Sequence, residues 1–224
     1  MKNSIILLIL CSILFTSCND KAPSKDNTPI SGEDLIERAW KDFREGRYAS
    51  AEGNFNQVLQ NEDPSIYLVG YYGLGWTFLK TGKYLNAKNE FNKFFTMDEY
   101  DVYRPSGSGT SAAEDSIFRN VRAGQLITLN ALGEHENAIT ISTIFNVNTG
   151  QIMPNWKFNQ DQNITIRDMR VLKAISHFAV GGNNNLAISL SLVRMIDPNF
   201  NADINTTEGI LLLMRKLEEI MDNG

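Results

Sequence analysis

The stretch from Tyr71 to Phe91, YYGLGWTFLKTGKYLNAKNEF, predicts two helices joined by a tight turn. Positions i, i+3, i+4 and i+7 share one face of a helix, and here they hold Tyr71, Leu74, Gly75 and Phe78. Gly82 predicts the end of the first helix, because glycine accepts the positive φ that often follows a helix C-cap. Ala87 and Phe91 mark the second helix, with the small residue where two backbones come close.

This order of residues resembles the tetratricopeptide repeat (TPR), whose signature is an aromatic, Leu-Gly, an aromatic, and then Ala and an aromatic after the turn. The preceding segment repeats the pattern: Gly46, Tyr48, Ala51 and Phe55 correspond to Gly82, Tyr84, Ala87 and Phe91. The two alanines are 36 residues apart, against 34 in the ideal repeat. The resemblance implies an all-α fold in which helical hairpins stack into a short right-handed solenoid that binds a partner.

Capping signals set the ends of the first helices. Ser31 and Asp34 have the spacing of a capping box, so the first helix is expected to start near Gly32. Asp63 is expected to cap the third helix, with Pro64 at its first position. Residues 31–100 are therefore predicted to form two TPR-like repeats.

Residues 101–199 are predicted to contain two degenerate repeats with long loops. Ser111 is expected to cap a helix that runs to about Leu132, and the third unit is then carried by Gly133, Ala138 and Phe145. His135 replaces the turn tyrosine of the earlier repeats and Ser142 replaces the second-helix aromatic.

A fourth unit follows the long connection from Asn146 to Asn163. Thr165 and Asp168 predict the start of a helix through about Val180, and Gly182 with Ala187 repeats the five-residue offset of the earlier units. Residues 200–224 are predicted to hold a capping helix from about Thr207 to Met221. Its apolar side is expected to consist of Ile210, Leu211, Met214, Leu217, Ile220 and Met221.

The first 17 residues are typical of a signal peptide. Lys2 is basic, and Ile5 to Phe15 is an apolar run that is too short to span a bilayer. The sequence Phe15-Thr16-Ser17-Cys18 resembles the bacterial lipobox, although the family prefers leucine at the place of Phe15 and here Leu14 lies one position earlier. The resemblance implies cleavage after Ser17 and lipidation of Cys18, with a palmitate-type acyl group. A plain secretory peptide with an incidental cysteine is the alternative.

Residues 18–30 show no apolar periodicity and are expected to be a flexible tether between the lipid and the folded domain. Asn19 follows the lipidated cysteine, whereas an aspartate there would imply retention in the inner membrane under the enterobacterial rule. The expected location is therefore the bacterial cell envelope, anchored in the outer membrane and facing the periplasm.

Composition excludes several classes of function. The net charge is −5 and no Lys/Arg-rich run occurs, so nucleic acid is not an expected partner. The two cysteines, Cys11 and Cys18, both lie in the N-terminal segment, which excludes disulfides and cysteine–metal sites from the folded domain.

No enzyme activity, cofactor or metal site is predicted. His135 and His177 lie far apart in sequence and neither has a ligand pattern beside it, so a turn residue and a half-buried helix residue are the simpler interpretations. Two acidic clusters, Asp98-Glu99-x-Asp101 and Glu114-Asp115, lack the spacing of a calcium loop and fit charges at helix ends.

A concave groove is the predicted binding surface. In the TPR family the first helix of each hairpin lines this surface through its fifth, ninth and twelfth positions. Carried over to this chain, these positions are Ile36, Trp40, Phe43, Tyr72, Trp76 and Leu79, with Lys80 beside them as a lone cation. The alternative is that these aromatics are buried, either by later repeats or by Trp156 and Phe158 of the long loop.

Two functions fit these expectations. The first is a lipid-anchored TPR scaffold that holds a protein or peptide partner in the cell envelope, of the kind that assists outer-membrane assembly. The second is a lipoprotein that captures a ligand or glycan, with Trp40 and Trp76 stacking on sugar rings. Both rest on the resemblance and on the aromatic residues of the groove.

Overall fold

The computed structural model describes residues 30–96, 112–144 and 155–222. Within the range 112–144, it describes side chains for residues 117–142 only. These residues form an all-α fold with one short β-hairpin. Its elements are α1 (Gly32–Arg44), α2 (Tyr48–Val58), α3 (Pro64–Lys80), α4 (Tyr84–Thr96), α5 (Ala112–Ala131), α6 (His135–Ile144), β1 (Lys157–Phe158), β2 (Asp161–Thr165), α7 (Ile166–Val180), α8 (Asn183–Ile196) and α9 (Thr207–Asp222). The expected signal peptide, the lipidation site Cys18 and the tether up to residue 29 lie outside the described residues, as do Ser111, Phe145 and the acidic cluster at 98–101.

The helices begin where the capping residues predict. The Ser31 hydroxyl accepts a hydrogen bond from the Asp34 amide at 3.1 Å, and α1 starts at Gly32, directly after Ser31. The Asp63 carboxylate accepts from the Ser65 amide at 2.8 Å, and Pro64 is the first residue of α3. Each side chain satisfies a backbone N–H that would otherwise lack a partner in the first turn.

Three successive hairpins share one turn geometry. A glycine with positive φ lies between the two helices of each pair, namely Gly46 (73°), Gly82 (72°) and Gly133 (71°). The residue five positions later is a fully buried alanine in every case, namely Ala51, Ala87 and Ala138. The third unit, which lacks the aromatic signature, therefore keeps the same glycine-to-alanine offset as the first two.

The fourth hairpin differs in register from the prediction. Only Gly181 and Gly182 separate α7 from α8, whereas the earlier turns have three residues between their helices. Because the turn is one residue shorter, the buried position lies one residue earlier in the chain. Leu186 is therefore buried and Ala187 is exposed. The prediction that Ala187 anchors this pair is wrong.

Contacts between the helices follow their order along the chain. Each consecutive pair of helices from α1 to α9 is in contact. The first helices of successive hairpins also touch, in the series α1–α3, α3–α5, α5–α7 and α7–α9. The chain therefore buries its apolar faces by stacking neighbouring hairpins in sequence order, because a single hairpin cannot cover its own apolar face.

Phe91 of α4 explains the glycine of the Leu-Gly signature. Its ring packs between α3 and α5, where an added Cβ would lie 2.4 Å from the ring at Gly75 and 2.3 Å from it at Gly124. Real Cβ atoms do not approach a ring so closely, so both neighbouring helices need glycine. Phe55 of α2 lies against Gly73 in the same way, with a Cβ position only 2.2 Å away.

The buried face of the last helix matches the predicted one only in part. Leu213, Leu217 and Ile220 are buried against α7 and α8. Leu211 and Met221, which the sequence placed on the buried side, are exposed over 44% and 50% of their surface. The continuous apolar run of residues 210–214 covers more than one side of the helix, so periodicity alone could not identify the buried face.

A carboxylate joins the first two helices. Asp42 of α1 is buried and accepts hydrogen bonds from the Ser50 hydroxyl, from Arg47 Nε at 2.9 Å and from Asn54 Nδ2 at 2.9 Å. The hydrogen bond from Ser50, followed by that from Arg47, lowers the pKa of Asp42 below its usual value, and burial opposes this only in part. The ionised carboxylate is therefore the form that the folded state favours.

We expect Asp42→Asn to lower the free energy of unfolding more at pH 7 than at pH 3. The folded-state pKa lies below the unfolded value of about 3.9, so the stabilisation is present above that value. It disappears as the pH falls through the folded-state pKa. Urea unfolding of both proteins at pH 7, 5, 4 and 3 measures the difference. A difference that stays constant across this range would contradict the assigned role.

Candidate functional site

The apolar residues predicted to line the groove do not form an open surface. Trp76 is fully buried, and Trp40, Phe43 and Tyr72 are each at most 5% exposed. Leu79 is also buried, and Ile36 is partly buried. Their role as an exposed binding groove is therefore not supported by the structure, which instead matches the alternative that the loop before α7 covers them.

Phe158 of β1 is the residue that covers the aromatics. Its ring stacks on Trp76 with centroids 4.0 Å apart and planes at 16°. Trp40, Phe43 and Tyr72 complete an aromatic cage around it, at centroid distances of 6.3, 6.4 and 6.4 Å. We use "aromatic cage" for Trp40, Phe43, Tyr72 and Trp76, the four residues around Phe158. Since Phe158 is fully buried, the chain itself fills the cage.

Polar contacts hold the β-hairpin over the cage. Three residues of the hairpin each bond to a different helix: Arg44 Nη1 of α1 to Gln160 Oε1 at 2.6 Å, Asn120 Nδ2 of α5 to Asn159 Oδ1 at 3.1 Å, and Lys80 Nζ of α3 to Asp161 Oδ2. Burial opposes ionisation of Asp161, but the hydrogen bonds from Lys80 and Asn163 outweigh it and lower the pKa of this carboxyl. The interpretation of Lys80 as a lone cation is therefore wrong.

The burial of the tryptophans also removes the predicted sugar platform. Trp40 packs on Phe43 and Phe55, and Trp76 packs on Phe91 and Phe158. At 5% and 0% exposure neither ring has a face that a sugar could cover. Glycan stacking by this pair is therefore not possible in the structure described.

A cavity of about 440 Å³ remains open beside the cage. Its walls come from six elements, α3, α4, α5, β2, α7 and α9. Three of the predicted groove residues, Trp76, Leu79 and Lys80, line it. Its volume lies in the range of natural ligand pockets, roughly 300–1,000 Å³. The β-hairpin therefore fills one part of the predicted groove, and the cavity lies beside the other part.

The cavity is mostly apolar, with a few polar groups. Its apolar wall includes Trp76, Leu79, Ile127, Ile164, Val171, Leu172 and Ile220. Among the described residues, the indole Nε1 of Trp76 is buried without a hydrogen-bond partner. Arg167 and Asp168 of α7 also line the cavity. Asp168 already accepts hydrogen bonds from the Thr165 amide at 2.7 Å and from its hydroxyl at 2.8 Å.

Most residues of the cavity wall have no signal in the sequence, and Ile127 is an exception. Ile127 precedes Ala138 by eleven residues, as Trp40 precedes Ala51 and Trp76 precedes Ala87. Applying the family offset to the third unit would have identified Ile127 as a groove position. The contributions of β2 and α9 had no such signal, because both elements lie outside the repeat pattern.

The other chemically active side chains do not form a site. His177 is buried, and its Nδ1 lies 2.8 Å from Asn185 Oδ1. Burial lowers the pKa of His177 and also that of Lys173, one turn earlier in α7. Among the described residues, no group of three or more His, Cys, Asp or Glu side chains is placed to hold a metal ion. Within the same ranges, no helix is both long enough and apolar enough to cross a membrane.

Comparison of the chain with models of protein families, with curated proteins and with solved structures finds no match. Fold and site together define an all-α protein of stacked helix pairs, in which the described residues leave a largely apolar cavity open between the stack and the β-hairpin.

Proposed function

We propose that this chain is a TPR-like solenoid that serves as a lipid-anchored scaffold for a protein partner in the bacterial cell envelope. The observation that carries the proposal is the repeated hairpin geometry. Three turns place a positive-φ glycine five residues before a fully buried alanine, and the first helices of successive hairpins touch. Stacked helical hairpins of this kind serve mainly as binding surfaces, which is an argument from fold-level analogy.

The envelope location rests on the N-terminal segment. An apolar run, small residues and Cys18 follow one another in the order of a lipoprotein signal. A single acyl chain binds a membrane only weakly, so the several acyl chains implied by the lipobox resemblance would give stable anchoring. Labelling with radioactive palmitate tests this part, and we expect the label to be lost in Cys18→Ala.

The C-terminal end of the stack offers a surface for a partner. A helix that ends a solenoid usually turns a polar face to solvent. In α9, Leu211 and Leu212 are each 44% exposed, and Met221 is 50% exposed. These apolar side chains support a protein contact at this end, whereas the aromatic cage is filled by Phe158.

Cross-linking in intact cells, followed by purification of the chain and identification of what is attached, tests the scaffold function. We expect an envelope protein to be captured by the wild type and lost when Leu211 and Leu212 are both changed to serine. Leu85→Ser, at an exposed leucine of α4, is the matched control and should retain the partner. Equal capture by all three proteins would exclude the α9 surface.

Ligand capture is the second candidate, and the cavity of about 440 Å³ favours it. The cavity has the size and apolar lining of a small-molecule site. This function does not need the aromatic cage, because the cavity lies beside it.

A further inference from the structure

We infer that the cavity between α3, α5, α7 and α9 binds a small amphipathic organic anion. The ligand would have a compact apolar body, a hydrogen-bond acceptor for the Trp76 indole and one negative charge near Arg167. This inference goes beyond the scaffold function and does not depend on it, because the cavity and the exposed leucines of α9 are different features.

The wall of the cavity selects an apolar body. Leu79, Ile127, Ile164 and Val171 come from four different elements and converge on one space. Burial of apolar surface in such a space is the main favourable contribution to the binding of a small molecule. A sugar would bring many hydroxyl groups to a wall that has few partners for them, so the lining disfavours glycans.

The indole N–H of Trp76 is a hydrogen-bond donor that lacks an acceptor. The residue is fully buried and lines the cavity, and its Nε1–H has no partner among the described residues. Buried donors in native proteins are nearly always paired, and an exception often marks a group that meets a ligand or water. An acceptor atom on a bound molecule would satisfy this donor.

The charges around the cavity favour an anion. Lys80 is neutralised by Asp161, and Asp168 is held by Thr165 at the start of α7. Arg167 lines the cavity, and within the part of the chain that the structure describes its side chain makes no ion pair or hydrogen bond. Arg167 is thus the charged side chain of the wall that is free to pair with a ligand, and Arg is well suited to bind a carboxylate.

Three probes with the same apolar chain separate these contributions: octanoate, 1-octanol and octylammonium. Each is titrated into the purified protein and followed by calorimetry and by tryptophan fluorescence. We expect saturable binding of octanoate at one site, weaker binding of octanol, and octylammonium weaker than octanoate by about fivefold or more, as one partly exposed charge contact would give. Absence of saturable binding of octanoate, or equal affinity for octanoate and octylammonium, would overturn the inference.

Variants locate the site. Arg167→Gln is expected to remove the preference for octanoate over octanol, while Arg215→Gln, at an exposed arginine of α9 outside the cavity, should leave it unchanged. Trp76→Phe keeps an aromatic ring but removes the N–H donor. It should lower the affinity for octanoate several-fold without changing the ratio of the affinities for octanoate and octylammonium. Ala131→Trp, at the exposed end of α5 where that residue lines the cavity, should block all binding. Unchanged octanoate affinity in Ala131→Trp would show that the ligand binds elsewhere and would refute the assignment.

Discussion

Phe158→Ala is expected to lower the free energy of unfolding by about 3–5 kcal/mol, the usual range for a buried phenylalanine. The ring is fully buried and stacks on Trp76 at a centroid distance of 4.0 Å. Its removal leaves a space inside the aromatic cage, because Trp40, Phe43 and Tyr72 belong to different positions of α1 and α3 and cannot all collapse inward. Equilibrium unfolding in urea measures the loss.

The neighbouring residue on β1 supplies the control. Lys157 is exposed, so Lys157→Ala should change the free energy of unfolding by no more than about 0.5 kcal/mol. Benzene should raise the melting temperature of Phe158→Ala but not of the wild type, because an apolar cavity of this kind binds small aromatic molecules. A loss below about 1 kcal/mol in Phe158→Ala would show that the hairpin is not part of the core.

The helical hairpins could be predicted because their signals are local. A capping residue such as Ser31, a turn glycine such as Gly82 and a small residue such as Ala87 each act within a few positions along the chain. Even the third hairpin follows this rule, since Gly133 and Ala138 keep the offset after the aromatic signature has gone. Expectations about helix ends were confirmed for the same reason.

The fourth hairpin shows where a local pattern misleads. Gly182 and Ala187 match the offset by sequence, but the turn uses two glycines with positive φ and is one residue shorter than the others. The buried positions therefore move to Leu186 and Leu190. Turn length is decided by how the two helices dock, which the spacing of small residues does not reveal.

The repeat pattern could not show whether the predicted groove is open or is filled by another part of the chain. The family positions identified the residues that face one another, and the structure brings four of them together as the aromatic cage. The residue that fills the cage is Phe158, which lies at least 82 residues further along the chain than any cage residue. The two strands of two and five residues are too short for a periodic signal. The long loop suggested this alternative only through its aromatic residues.

Trp76→Ala is expected to lower the free energy of unfolding by about 3–5 kcal/mol, which distinguishes a core residue from a surface anchor. Trp76 is fully buried and contacts Phe91 of its own hairpin as well as Phe158 of the β-hairpin. A binding residue on an open groove would leave stability nearly unchanged when truncated. Urea unfolding of Trp76→Ala, beside Tyr84→Ala at a 38% exposed aromatic residue of α4, measures the contrast.

The double variant Trp76→Ala/Phe158→Ala tests whether the two rings stabilise the fold together. Their stacked contact predicts that the double loss is smaller than the sum of the single losses by about 0.5–1.5 kcal/mol or more. The reason is that either truncation alone already removes the shared contact and loosens the hairpin. Strictly additive losses would mean that Phe158 is held by its own strand pairing rather than by the cage. In that case the β-hairpin would be independent of the helical stack, and a partner could replace it in the cage at little cost.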